Sequence, residues 1–201
     1  MKMREKRLPC QHLKNIEFPE EPLYVTVNKF ESYTLKTFME ECDKVLRHGQ
    51  EFLPIVIDSY GGEVYTLLGM ADFVRSLDVK VITVCQAKAM SCGAMLFSCG
   101  TERYIAPTST VMIHEISGGF WGKHVDIQND AKEVERLNKL LFEMLDKNTG
   151  QKKGFWWSFV QKNHHTDLFL TAAQAKKHNL ATAVGIPYIE TSVQVKRTLK
   201  I

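Results

Sequence analysis

Short β-rich runs alternate with amphipathic helical stretches in the order β-α-β-α-β, and this alternation predicts an α/β fold with a parallel sheet. Two runs carry the prediction. Pro54 to Asp58 (PIVID) is a short apolar stretch of the kind a sheet buried on both faces uses, and Val79 to Cys85 is rich in β-branched residues. The helical stretches between them are the length of right-handed crossovers. The 201 residues fit one such domain, and a hydrophobic fraction of 44% supplies an ordinary core.

Residues 1 to 22 are polar, carry Pro9, Pro19 and Pro22, and read as an irregular leader. Leu23 to Asn28 (LYVTVN) is expected to be a strand. Ser32 to Leu46 has helical spacing, with Leu35, Phe38, Met39, Cys42, Val45 and Leu46 on one side. After Pro54 to Asp58, Ser59-Tyr60-Gly61-Gly62 breaks the chain. Thr66 to Leu77 then returns to helical period through Leu67, Met70, Ala71, Val74 and Leu77. Val79 to Cys85 is the next strand, and Gly93 to Phe97 opens a buried helix. Strands are expected near Tyr104 and Ile105 and at Thr110 to Ile113. Val125 to Lys147 is a long amphipathic helix with Ala131, Val134, Leu137, Leu141, Met144 and Leu145 on one stripe and Gly150 as its terminator. Its pattern suits either a helix projecting toward a partner subunit or one packed on its own core. Thr171 and Gln174 form a capping-box pair that announces a last helix, with Asn179 as its left-handed cap.

Composition narrows the function classes. A net charge of +3 without a basic, aromatic-interleaved stripe argues against nucleic acid as a partner. Met1 to Arg7 is basic, but Leu8 to Glu17 supplies no apolar core for a signal peptide, and no run approaches the roughly 18 apolar residues of a membrane helix. Neither export nor membrane insertion is expected. Five cysteines (Cys10, Cys42, Cys85, Cys92, Cys99) lack C-x-x-C spacing, which favours a reducing, cytoplasmic setting over a disulfide scaffold.

The chemistry concentrates between Gln86 and His114. Ser91 lies at a strand-to-helix junction, where unpartnered backbone N–H groups and the helix dipole favour negative charge. His114 closes a β-rich run and can act as a general base. A serine N-cap and an ordinary strand-end histidine would fit the same residues. Gly61-Gly62 can form a tight turn, or can offer the Gly62 N–H, with that of Cys92, to a developing oxyanion. There is no P-loop lysine and no G-x-G-x-x-G for a phosphate. Ser117 to Gly122 (SGGFWG) is either a plain loop or an edge that pairs with an extended peptide. Asp167 can orient a histidine as the third member of a triad, or can be a loop carboxylate. His164 and His165 are adjacent and diverge, so no metal and no cofactor is expected.

Together these stretches resemble the proteolytic subunit of the Clp protease, the ClpP family of serine peptidases, from about Leu23 to Ile186. The motifs are IDSYGGEV at Ile57 to Val64, AMSCGA at Ala89 to Ala94 and VMIHEISGG at Val111 to Gly119. DIQNDAKEVERLNKLLFEMLDKNTGQ at Asp126 to Gln151 and TDLFLTAAQAKKHNL at Thr166 to Leu180 follow in the family's order. The resemblance implies a crotonase-like spiral of β-β-α units with a projecting handle helix at about 125 to 147. It implies Ser91, His114 and Asp167 as the catalytic triad and Gly62 and Cys92 as oxyanion donors, with Gly118 and Gly119 binding the substrate main chain. It also implies peptide or unfolded protein substrates and a homo-oligomer of heptameric rings stacked as a tetradecamer.

Several positions depart from the family pattern. Tyr60 stands where a proline is usual, and Cys92 where a methionine is common. The leader shows no clear match to the axial loop that helps dock Clp-type unfoldase ATPases, which weighs against that partner. The divergent leader and the tail at 187 to 201 would also suit a ClpP-like protease encoded by a bacteriophage. Two other classes stay open: a non-catalytic ClpP-like ring subunit, and a crotonase-type acyl-CoA enzyme using the same paired N–H groups.

Overall fold

In the computed structural model, which describes residues 22–190, the leader to residue 21 and the tail from 191 lie outside the described residues. Strand β1 (Val25–Val27) leads through helix α1 (Thr34–Arg47) to β2 (Phe52–Ser59), and α2 (Val64–Ser76) crosses over to β3 (Lys80–Met90). Helix α3 (Cys92–Ser98) follows at once, then β4 (Glu102–Ile105) and β5 (Thr110–Ile113). The chain continues through α4 (His124–Thr149), α5 (Phe155–Lys162), β6 (Leu168–Thr171), α6 (Ala172–Lys177) and β7 (Ala183–Val184). The result is a mixed α/β architecture with a mainly parallel sheet, as the alternation predicts and as suits the ClpP fold.

The sheet order is β1-β2-β3-β4-β7, every neighbour parallel, with β5 also pairing β3 and β6 antiparallel to β5. Strand β3 serves two partners: Ile82 to Cys85 pair with β4, whereas Lys88 to Met90 pair with β5. It therefore runs five residues past the expected end at Cys85. Gln86 to Met90 alternate small and polar residues that carry little β signal, and pairing with β2 and β5 holds them extended.

Alternation decides the packing. Leu53, Ile55 and Ile57 of β2 are fully buried, and with Val81 and Cys85 of β3 they belong to the core formed with α1, α2 and α3. The opposite face is not covered in the same way. Phe52, Pro54, Val56, Ile82, Val84 and Tyr104 line a groove of about 510 Å³ bordered by Ile186 to Glu190. Among the described residues, helices pack only one face of the sheet at this end, where burial on both was expected.

Helix α4 divides in two. Leu137, Leu141, Met144 and Leu145 are buried, while the first turns are exposed, including Ala131 of the expected stripe. The second half packs on the core of its own chain, as one of the two readings expects. Gly150 ends it in the left-handed conformation (φ 66°), as the sequence indicates. Helix α5 has no counterpart in the sequence reading because its cap is not local. Asp146 of α4 accepts hydrogen bonds from Gly154 N (2.6 Å) and Trp156 N (3.0 Å), doing for α5 what an N-cap residue would do. The capping box of α6 is present with both its bonds, and Asn179 takes φ 56° just beyond that helix.

Candidate active site

Three strand ends converge. The parallel register Met90↔Met112 brings the end of β3 beside that of β5, and Ser91 N donates to Met112 O at 2.9 Å. The antiparallel register Ile113↔Leu168 sets His114 and Asp167 on the next rung. Ser91, His114 and Asp167 lie far apart in the sequence, and sheet pairing alone makes them neighbours.

Ser91 precedes α3 but makes no capping hydrogen bond with its side chain. It sits at φ 55°, a left-handed conformation that non-glycine residues seldom adopt and that carries local strain. Ser91 Oγ lies 2.8 Å from His114 Nε2. His114 Nδ1 is 3.7 Å from Asp167 Oδ1, within ion-pair range but beyond a hydrogen bond. With its proton on Nδ1, facing the carboxylate, the imidazole leaves Nε2 free to accept from the serine hydroxyl. The Asp167 side chain is half exposed.

The Gly61-Gly62 turn stands against this pair. A Cβ on Gly61 would lie 2.7 Å from Ser91 Cβ, and one on Gly62 would lie 2.2 Å from Phe30 O. Their φ values of 110° and 148° add a backbone reason for glycine. Glu63 N donates to Phe30 O (2.7 Å), and Cys92 Sγ donates to Gly62 O (3.2 Å), so both flanks of the turn are tied down. Cys92 opens α3, where first-turn N–H groups have no helical acceptor. Burial pushes its thiol up to about 11, which keeps it protonated at neutral pH and a poor nucleophile beside Ser91.

Tyr60, the unusual residue before the glycines, has its own brace. Lys88 Nζ lies 4.4 Å from the centre of the Tyr60 ring and 2.6 Å from Asp58 Oδ1. The hydrogen bond to Asp58 raises the Lys88 ammonium above its ordinary value. A cation held by a carboxylate and laid on a ring restrains a turn that lacks proline rigidity.

Gly62, Ser91, Cys92 and His114 line one cleft of about 290 Å³, whose remaining wall includes Val64, Met95, Met112, Ile116 and Leu141. The larger groove on the outer sheet face contains none of the candidate residues. The cleft reaches Ile116 and Ser117 but stops short of Gly118 and Gly119, which are exposed in the segment leading to α4. Among the described residues, no group of three or more His, Cys, Asp or Glu side chains could hold a metal ion.

Comparison with known families gives one match. Residues 46–186, more than two thirds of the chain, match the Clp protease family. The chain belongs to the Clp protease family. The match takes in all three converging strand ends and the glycine turn.

Other parts of this Clp protease family member escaped the sequence reading. The apolar wall of the cleft is drawn from α2, α3, β5, the segment after it and α4, so no local pattern marks it. Asn138 is buried and accepts a hydrogen bond from Ile116 N at 2.8 Å, fixing the segment just after His114 against α4. A polar residue between the buried positions Leu137 and Leu141 was its only signal. The Lys88–Asp58 pair joins two strands thirty residues apart and left no mark in either.

Proposed function

We propose that this chain is a serine endopeptidase of the ClpP type, with Ser91 as nucleophile, His114 as general base and then acid, and Asp167 as the orienting carboxylate. The observation that carries the reading is the 2.8 Å contact between Ser91 Oγ and His114 Nε2 at a strained turn facing the glycine pair. Ser91 Oγ attacks the scissile carbonyl carbon while its proton passes to His114 Nε2. The oxyanion so formed is stabilised by the N–H groups of Gly62 and Cys92. Collapse of the tetrahedral intermediate breaks the C–N bond, and the leaving amine takes the proton from His114. Water, deprotonated by the same imidazole, then hydrolyses the acyl-enzyme and restores Ser91.

The apolar wall of the cleft favours an apolar side chain next to the scissile bond, and Gly118-Gly119 would take the substrate main chain as an added strand. The peptidase domain is proposed to span 23–186, between a leader at 1–22 and a tail at 187–201. Its handle at about 125–147 would interdigitate between heptameric rings stacked as a tetradecamer. Trp121 is 96% exposed and Val125 61%, apolar surface that such an interface would cover. A Clp-type unfoldase ATPase stays outside the proposal, because residues 1–22 show no clear sequence match to the family's axial loop. The free cysteines at 42, 85, 92 and 99 suit a cytoplasmic, reducing location.

A fluorophosphonate serine probe followed by mass spectrometry tests the reading. Modification at Ser91, lost in His114→Ala, is expected. An unlabelled wild-type protein that forms rings only with a partner would instead indicate a non-catalytic ring subunit. Thioester turnover without peptide cleavage would indicate the crotonase-type chemistry.

A further inference from the structure

Past the last paired residues of β5 and β6, Ile113 and Leu168, the two flanking segments leave the sheet as His114-Glu115 and His165-Thr166-Asp167. Two side-chain contacts cross between them. One is His114 Nδ1 to Asp167 Oδ1 at 3.7 Å. The other is shorter: His165 Nδ1 donates to Glu115 Oε1 at 2.6 Å. The residue after the general base thus holds the segment that carries the orienting carboxylate.

That segment needs holding. His164 and His165 both lie in the left-handed region, at φ 58° and 55°, and neither is glycine. Its remaining ties run back toward α5 or stay within the loop. His164 N donates to Gln161 O, His165 N to Val160 O, and Asn163 Nδ2 to the Asp167 carbonyl at 3.2 Å. These bonds shape the loop without reaching the His114 strand. The Glu115–His165 bond does reach it, and it ends one residue from the imidazole.

We propose that Glu115 and His165 form a positioning pair that clasps the Asp167 loop to the end of β5 and sets the orienting carboxylate against His114. The proposal rests on the peptidase reading of Ser91, His114 and Asp167. An exposed pair of this kind adds little to global stability. Here it acts on a strained loop, and the benefit falls on the geometry at Nδ1, where a displacement of about 1 Å is felt strongly in rate. Neither residue touches the cleft, so substrate binding does not depend on the pair.

The test compares wild type with Glu115→Ala, His165→Ala, the double variant and Glu115→Gln. It uses the rate of phosphonylation of Ser91 by a fluorophosphonate, in which the Ser91 Oγ–P bond forms as fluoride leaves, together with kcat and KM for an apolar peptide substrate. Each alanine variant is expected to slow phosphonylation and kcat about tenfold, with KM unchanged. The double variant should be no slower than either single one, because the two side chains act as a unit. Glu115→Gln, which still accepts from His165 Nδ1–H, should restore most of the rate. Wild-type rates in Glu115→Ala, or losses that add in the double variant, would overturn the clasp and leave the triad reading intact. A wild-type protein that fails to label would remove that reading, and the clasp with it.

Discussion

On one side of the His114 ring, Nε2 meets Ser91 Oγ at 2.8 Å; on the other, Nδ1 stands 3.7 Å from a half-exposed carboxylate. The Ser91 side is built from the core. Its backbone is bonded to β5, its helix is buried throughout, and two glycines press against it and against Phe30. The Asp167 side hangs from a surface loop with two left-handed histidines. Chemistry that must be placed to a fraction of an ångström sits where packing leaves no alternative. The carboxylate proposed to orient the imidazole sits where small changes can tune it.

The largest effect belongs to the rigid side. Ser91→Ala is expected to lower peptide hydrolysis by about 10⁴-fold or more, with thermal unfolding little changed. Its hydroxyl makes no capping bond whose loss would weaken α3. Hydrolysis at the wild-type rate would remove Ser91 from the mechanism. Gly61→Ala comes next. The added methyl would meet Ser91 Cβ at 2.7 Å and the backbone would stay at φ 110°, so Ser91 must move. We expect about a 10²-fold loss in acylation rate, the scale of a misplacement near 1 Å. An unaffected rate would show that this side yields more than its packing suggests.

Asp167→Asn probes the looser side. The carboxylate is 53% exposed and not in hydrogen-bond contact, so its field at Nδ1 is weakened by solvent. The expected loss is about tenfold to a hundredfold, smaller than that for Ser91, and rising salt should shrink the difference from wild type. A loss equal to that of Ser91→Ala would mean that the loop closes onto His114 when substrate is bound.

The contrast between the two sides also explains what the sequence could disclose. The strands at Thr110 to Ile113 and Pro54 to Asp58 and the helices at 34–47 and 64–76 follow from local period. So do the caps at Gly150 and Thr171, whose partners lie within a few residues. Ser91 and His114 were legible as candidates because each sits at a junction of two local patterns. Strand β6 was not, because the four residues of LFLT run straight into a capping box and read as the approach to a helix. Helix α5 was hidden because its cap, Asp146, belongs to another helix. The second half of β3 was hidden because cross-strand pairing, rather than its own residues, keeps it extended. The glycine turn itself offered two readings, a tight turn or an oxyanion site with Cys92, and the family resemblance favoured the second, whereas the steric need for both glycines emerges only from Ser91 and Phe30.

The smallest effect concerns alkaline pH and should separate the two sides once more. Burial raises the Cys92 thiol from 9.0 to about 11 and the Cys85 thiol to about 12, and both belong to the elements that present Ser91. A thiol whose folded value lies above its unfolded one binds its proton more tightly in the native state. Its contribution to stability is complete below pH 9 and is lost as pH rises toward 11 and 12. Thermal unfolding followed from pH 8 to 11 should therefore show a decline that is shallower in Cys92→Ala than in wild type. The comparison between variants matters because lysine and tyrosine titrate in the same range. Superimposable profiles would show that Cys92 ionises as readily in the folded protein as in the unfolded chain. That result would open the floor of the cleft to solvent and make the core-built side of the site less closed than its packing implies.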